Sequence, residues 1–198
     1  MVIRWDPVIY MLTKNQLQKI EQYVSSKLDS LNWYHTQEVR KVAQKLAYLE
    51  KADKEIVDVA VLFHDIGYAK GGYQGHAQRS AEMAREYLEK ERYEQRFIEE
   101  VVYCIIAHSL PWDNQSNLVS TPEAKVVFDA DMIQQLSELG IIKASIYFQD
   151  LIKKDFKEGV IQSRDFLFKT YNLIITDNGR KLAEKGYKFI KEFYQELL

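Results

Sequence analysis

Apolar residues recur every three or four positions along most of the chain, which is the period of an α-helix with one buried face. Leu17, Ile20, Tyr23, Val24 and Leu28 form one such stripe, and Val39, Val42, Ala43, Leu46 and Ala47 form another. The stretch Ile56 to Phe63 is apolar almost throughout and fits a short buried strand or a buried helix. Asp53 as N-cap and Glu55 in the first turn favour the helix. Gly67, Gly71, Gly72 and Gly75 then mark a loop. The spacing predicts a helix from about His76 to Lys90, with Ala77, Ala81, Ala84 and Leu88 inward, and another from about Gln95 to His108. Pro111 to Ser120 reads as a polar, mobile loop. Thr121 and Pro122 open the next helix, an N-cap followed by a proline at its first position. Further helical segments are expected around Ile142–Ile152, Ser163–Tyr171 and Asp177–Leu198.

The chain has 198 residues with 8 Gly and 3 Pro, too few turn residues to punctuate many short strands. The fold class expected is therefore all-α. No linker or repeat divides the chain, so a single domain over residues 1–198 is expected. The formal net charge of -2 gives no strong nucleic-acid signal. One cysteine, Cys104, excludes an internal disulfide and a Cys-rich zinc site. No apolar run reaches the ~20 residues of a membrane span. The N-terminus lacks the order of a signal peptide, and cytoplasmic is the resulting expectation.

Composition leaves chemistry open, and the 4 histidines narrow it. His35 shares a helix face with Val39, Val42 and Leu46, and His108 shares one with Ile105, Val101 and Ile98. His64 ends the most apolar segment and is followed by Asp65. Asp131 lies four positions after Val127, so a carboxylate points toward apolar neighbours. A single histidine on an apolar face is commonly a hydrogen-bonded core residue. Several histidines with buried acids point instead to a metal, because an unpaired buried charge costs several kcal/mol. Imidazole plus carboxylate suits Mn, Fe, Co, Ni or Zn, with Mg also allowed. Neighbours on a helix point about 100° apart, so His64 and Asp65 can serve one ion only near a helix end.

The ordered set His35, His64-Asp65, Asp131 resembles the HD superfamily of metal-dependent phosphohydrolases. Trp33-Tyr34-His35-Thr36 is similar to the opening helix of that family, and Leu62-Phe63-His64-Asp65-Ile66-Gly67 to its central signature. Gly75-His76-Ala77-Gln78-Arg79-Ser80-Ala81, Ile106-Ala107-His108-Ser109 and Asp129-Ala130-Asp131-Met132-Ile133 resemble later elements of a bacterial and archaeal subgroup. The resemblance implies an HD-domain helical bundle with its metal-bearing core at about 30–135 and C-terminal helices at about 140–198 packed on it. It implies metal ligation by His35, His64, Asp65 and Asp131. It leaves Asp129 as an acid orienting a ligand or lying at the surface. His76 and His108 are further candidates, either for a second ion or for substrate, giving one or two ions per chain.

The reaction implied is hydrolysis of a phosphoester, with a nucleotide as one substrate class. A divalent metal activates water and neutralises phosphoryl charge. Asp65 would orient the nucleophile. Lys70 and Arg79 are candidate phosphate contacts, and Tyr34, Tyr73 and Trp112 could stack on a base. The helix dipole favours a cation at a helix C-terminus, which tilts His108 toward phosphate and His76 toward metal. Two other readings stand beside this one: a di-iron HD-type oxygenase, and a non-catalytic metal-stabilised sensor or interaction module. Homo-oligomerisation is left open.

Overall fold

The computed structural model describes residues 10–113, 116–152 and 156–197. Among these described residues, nine α-helices run in the order α1 (Lys14–Ser25), α2 (Ser30–Glu50), α3 (Lys54–Phe63), α4 (His76–Lys90), α5 (Gln95–Ala107), α6 (Pro122–Gln135), α7 (Glu138–Ile152), α8 (Phe156–Leu173) and α9 (Asp177–Leu197). There is no strand among the described residues. None of their helices is long and apolar enough to cross a membrane.

Local chemistry starts several of these helices. Thr13 and Gln16 make a reciprocal capping box at α1, and the Asp29 side chain accepts from Asn32 N at α2. Asp53 accepts from Glu55 N and Ile56 N at α3, and Thr121 accepts from Ala124 N at α6. Each such cap is worth about 1 kcal/mol.

The near-continuous apolar run Ile56–Phe63 is a helix buried on all sides, which settles the helix-or-strand ambiguity. Asp58, the polar exception, is held by a two-pronged bond from Arg40, with Nε to Oδ1 at 2.6 Å and Nη2 to Oδ2 at 2.7 Å. Around α3 pack α1, α2, α5 and α6. Helix α6 is also buried nearly all round, because it serves two cores. Val126, Val127 and Ala130 belong to the core of α1–α5. Phe128, Met132 and Leu136 belong to a second core with Ile141, Leu167, Ala183, Ile190 and Tyr194 of α7–α9.

Three expectations change. α7 and α8 each begin earlier than their apolar periodicity indicated, at Glu138 and Phe156. α1 ends at Ser25, so Leu28 packs on the core from the following turn. The segment expected to be a mobile loop contains two 3₁₀ turns, Leu110–Asp113 and Ser116–Leu118. It is tied down. Tyr103 Oη donates to Leu118 O at 2.6 Å and accepts from Ser120 N at 2.9 Å, while Trp112 stacks on Phe166 with ring centres 4.8 Å apart. Asn114 and Gln115 lie outside the described residues.

Candidate metal centre

The site forms where α3 stops. His64 still has helical backbone angles, but Asp65 (φ -109°, ψ 5°) leaves the helix and a 3₁₀ turn, Ile66–Lys70, follows. That break lets both side chains face one centre. Gly67 then allows α4 to close in. A Cβ there would collide with His76 O and sit 2.8 Å from Ser80 N, so any side chain would push α4 away. Ser80 Oγ accepts from Gly67 N at 2.8 Å and fixes the approach. His35 comes from the second turn of α2, His76 from the first residue of α4, His108 from the C-cap of α5, and Asp131 from α6.

These six side chains are buried and fall into two groups. His35, His64 and Asp131 form one, and Asp65, His76 and His108 the other. Within each, one ligand atom per residue lies within 4.8 Å of the rest. Asp65 joins the two groups. Its Oδ2 is 3.4 Å from His35 Nε2 and 3.5 Å from His64 Nε2, while its Oδ1 is 3.6 Å from His76 Nε2 and 3.9 Å from His108 Nε2.

The tautomers follow from the other ring nitrogens. His64 Nδ1 lies 2.7 Å from Val61 O, His76 Nδ1 is 2.8 Å from Tyr73 O, and His108 Nδ1 contacts Ile105 O. A carbonyl can only accept, so each Nδ1 carries the proton and donates it. His35 Nδ1 is 2.6 Å from Gln134 Oε1 and is fixed in the same way. All four neutral rings therefore aim bare Nε2 lone pairs at the centre. His64 Nε2 and His35 Nε2 face each other at 3.4 Å, and His76 Nε2 and His108 Nε2 at 3.1 Å. Lone pair against lone pair is repulsive unless a cation lies between. Asp131 Oδ1 completes the pattern. It is buried without a hydrogen-bond partner although His35 Nε2 is 3.2 Å away. The donor set of imidazole nitrogens and carboxylate oxygens fits divalent transition ions, with each His oriented through its second nitrogen.

The HD domain family model matches residues 32–136, a span that includes all six of these residues. The chain belongs to the HD domain family. Protein YpgQ of Bacillus subtilis is 24% identical over 192 residues, covering 92% of each chain. The crystal structure of YpgQ in complex with ADP has a TM-score of 0.71 to this chain at 23% identity, covering 92% of this chain and 96% of that one. An HD-superfamily hydrolase of Bacillus thuringiensis gives a TM-score of 0.67 at 21% identity, covering 93% and 95% respectively.

Electrostatics within this HD domain follow from burial and the two acids. Burial opposes charge on His35, and the Lys143 ammonium opposes it too, yet the Asp131 and Asp65 carboxylates facing its Nε2 outweigh both and raise its pKa. Burial dominates at the other three rings and lowers their pKa values. Burial also opposes charge on Asp65 and Asp131. The His64 and His35 rings overcome it at Asp65, which is held well below the usual carboxylate range. The adjoining His35 ring does so at Asp131, which falls to about 2.

Some expectations for individual residues are overturned. His108 is not favoured as a cation, since burial and the neighbouring His64 push its pKa down. Asp129 neither orients a histidine nor lies at the surface. It accepts from Ile175 N (2.8 Å), Thr176 N (2.8 Å) and Thr176 Oγ1 (2.7 Å), tying the start of α9 to α6. Arg79 is not free for phosphate, because its guanidinium donates to the carbonyls of Gly67, Gln74 and Gly72 and clamps the glycine loop. Lys70 is exposed at the end of the 3₁₀ turn, and no hydrogen bond or ion pair links it to the cluster among the described residues. Trp112 packs on Phe166, and Tyr34 is 55% exposed beside a groove between α2, α6 and α7. Tyr73 does stack on His76, with ring centres 5.1 Å apart.

Sequence reasoning missed Gln134, Tyr68 and Lys143. Gln134 stands three residues after Asp131 on the same helix, a spacing that puts both on one face. Tyr68 also stacks on His76, at 5.0 Å, and burial with the nearby Asp65 and Asp131 raises the pKa of its phenol, which keeps its proton. Lys143, on α7, belongs to no motif.

Proposed function

We propose that this HD domain protein is a metal-dependent phosphohydrolase cleaving a phosphoester of a small, nucleotide-class substrate. The observation that carries the reading is the convergence of four imidazole lone pairs and two ionised carboxylates on one buried centre. His35, His64 and Asp131 would hold one divalent ion, His76 and His108 a second, and Asp65 would bridge them through its two oxygens. Ions so placed supply Lewis acidity toward a phosphoryl oxygen and lower the pKa of water toward neutrality.

The chain's own residues do the rest. Asp65 is ionised throughout the physiological range, so it accepts a hydrogen bond from the attacking water and orients it. Each Nδ1–H bond to a carbonyl locks its ring, so the ligands need no reorganisation when substrate arrives. Tyr68 retains its phenolic proton beside His76 and serves as a donor to a phosphate oxygen. The hydrolase description of the B. thuringiensis relative and the ADP held by YpgQ support the reaction and substrate classes.

A di-iron oxygenase would use the same six donors, so the ligand set alone does not separate the two reactions. The test is metal analysis of protein purified without chelator, followed by a panel of phosphomonoesters, phosphodiesters and nucleotides. The expected result is close to two divalent ions per chain and phosphoester hydrolysis that EDTA abolishes and added Mn or Co restores. Absence of bound metal after saturation defeats the proposal. So does an iron-loaded protein that consumes dioxygen and hydrolyses nothing on the panel.

A further inference from the structure

Helix α7 carries a cation that the metal centre does not explain. The chain turns sharply between α6 and α7. Gly140 makes the turn feasible, since a Cβ there would overlap the backbone of Gln135. The turn lays α7 back beside the site. Tyr147 on α7 meets the Tyr73 ring at 5.4 Å, and Tyr73 in turn stacks on His76. Lys143 lies four residues before Tyr147 and so shares its face.

Lys143 is half-buried, yet no hydrogen bond or ion pair occupies its ammonium among the described residues. Its charge sits on the face of α7 from which Tyr147 reaches the Tyr73 ring and, through it, His76. For metal loading alone this is the wrong sign, because a fixed cation repels an incoming one. The sign is right for an anion. Divalent ions at the two groups, less the charges of Asp65 and Asp131, leave the centre net positive. An ammonium beside it extends that positive field toward a phosphate chain. The two basic residues nearer the signature do not compete for this part: Arg79 is committed to three carbonyls, and Lys70 is exposed on the loop.

We propose that Lys143 is the substrate-anchoring residue of the site, its ammonium binding a phosphate oxygen of the phosphorylated substrate while α7 forms the wall on which that substrate lies. This rests on the phosphohydrolase reading above and adds the group that recognises the anion. Charge-assisted bonds of this kind contribute enough for roughly a tenfold change in affinity or more when one partner is removed.

The test uses the full chain loaded with Mn, compared with Lys143→Met, which keeps the stem and removes the charge, and Lys143→Arg, which keeps the charge. Binding of ADP and of inorganic pyrophosphate is measured by calorimetry, with Mn counted in each protein. The expected result is an unchanged Mn count, ADP and pyrophosphate bound tenfold or more weakly by Lys143→Met, and most of the loss recovered by Lys143→Arg. On any phosphoester the parent hydrolyses, KM should rise more than kcat falls. If Lys143→Met binds both probes within twofold of the parent, Lys143 is not the anchor, although the hydrolase reading survives. If Lys143→Met loses Mn, its role is in the metal centre and the proposal fails. A parent that binds neither probe and hydrolyses no phosphoester overturns both readings together.

Discussion

Gln134 is the most informative residue to perturb, because it touches no proposed ion and yet decides which nitrogen of His35 is free. Its Oε1 accepts from His35 Nδ1 at 2.6 Å, and the residue is buried. Gln134→Leu keeps approximate volume and removes the acceptor. A buried N–H left unpaired costs about 1–3 kcal/mol. The ring can escape that cost by moving its proton to Nε2 and donating to Asp131 Oδ1, 3.2 Å away, or Asp65 Oδ2, 3.4 Å away. Either choice takes the lone pair from the ion. Loss of such an orienting partner weakens metal affinity by about 10–100-fold, or roughly 1.4–2.8 kcal/mol. The loss should be confined to one ion, since His76 and His108 are oriented by Tyr73 O and Ile105 O instead. Gln134→Glu retains an acceptor and should bind at least as tightly as the parent. The assay is competition for Mn or Zn against a chromophoric chelator, with far-ultraviolet circular dichroism to verify folding. A folded Gln134→Leu protein with unaltered affinity at both positions, or equal weakening at both, would refute the tautomer argument.

Two further predictions concern stability. In EDTA-treated protein, His64, His76 and His108 have pKa values lowered in the folded state, so below pH 6.5 the unfolded chain binds protons that the native state refuses. Stability then falls with falling pH by up to about 4 kcal/mol per unit if all three rings stay neutral. His35 works oppositely: its raised pKa stabilises below 6.5, and that contribution is lost as pH rises through the raised value. Urea midpoints measured between pH 5 and 8 should therefore peak just above pH 6.5, and a midpoint that stays level down to pH 5 would contradict the burial argument. Asp129→Ala strands two backbone N–H groups and the Thr176 hydroxyl, and should cost about 3 kcal/mol in denaturant unfolding while metal content per folded chain is unchanged.

How far the sequence could be read depended on whether a residue's job was local. Helix α3 was legible because eight consecutive core positions, from Ile56 to Phe63, leave only a wholly buried element. The acids of α6 show what was harder. Asp129 and Asp131 are two apart, about 200° around the helix, so they must face different neighbours. Asp131 faces the histidines and Asp129 faces the start of α9. Periodicity states that they differ but not which looks where, because the answer depends on a segment, Ile175 and Thr176 ahead of α9, that arrives 46 residues later. Lys143 was illegible for the same reason: only the fold-back of α7 brings it to the site. His108 was misjudged through magnitude. A helix dipole is worth about 0.3–1 kcal/mol at a surface terminus, whereas full burial can shift a pKa by several units, and at 3% exposure burial prevails.

The end of α3 has a consequence beyond bringing two side chains together. Had the helix continued through Asp65, His64 and Asp65 would point about 100° apart, and one carboxylate could not present Oδ2 to α2 and α3 while presenting Oδ1 to α4 and α5. Because the backbone departs from the helix at Asp65, this carboxylate stands between two histidine pairs supplied by four different helices. The two groups are therefore not independent sites that happen to be close. A change in charge or position at Asp65 acts on both, and so does anything that moves the 3₁₀ turn behind it. The Gly67 contact with α4 and the Arg79 clamp on the glycine loop belong to the same device: they hold that turn in place, and with it the one residue common to both halves of the centre.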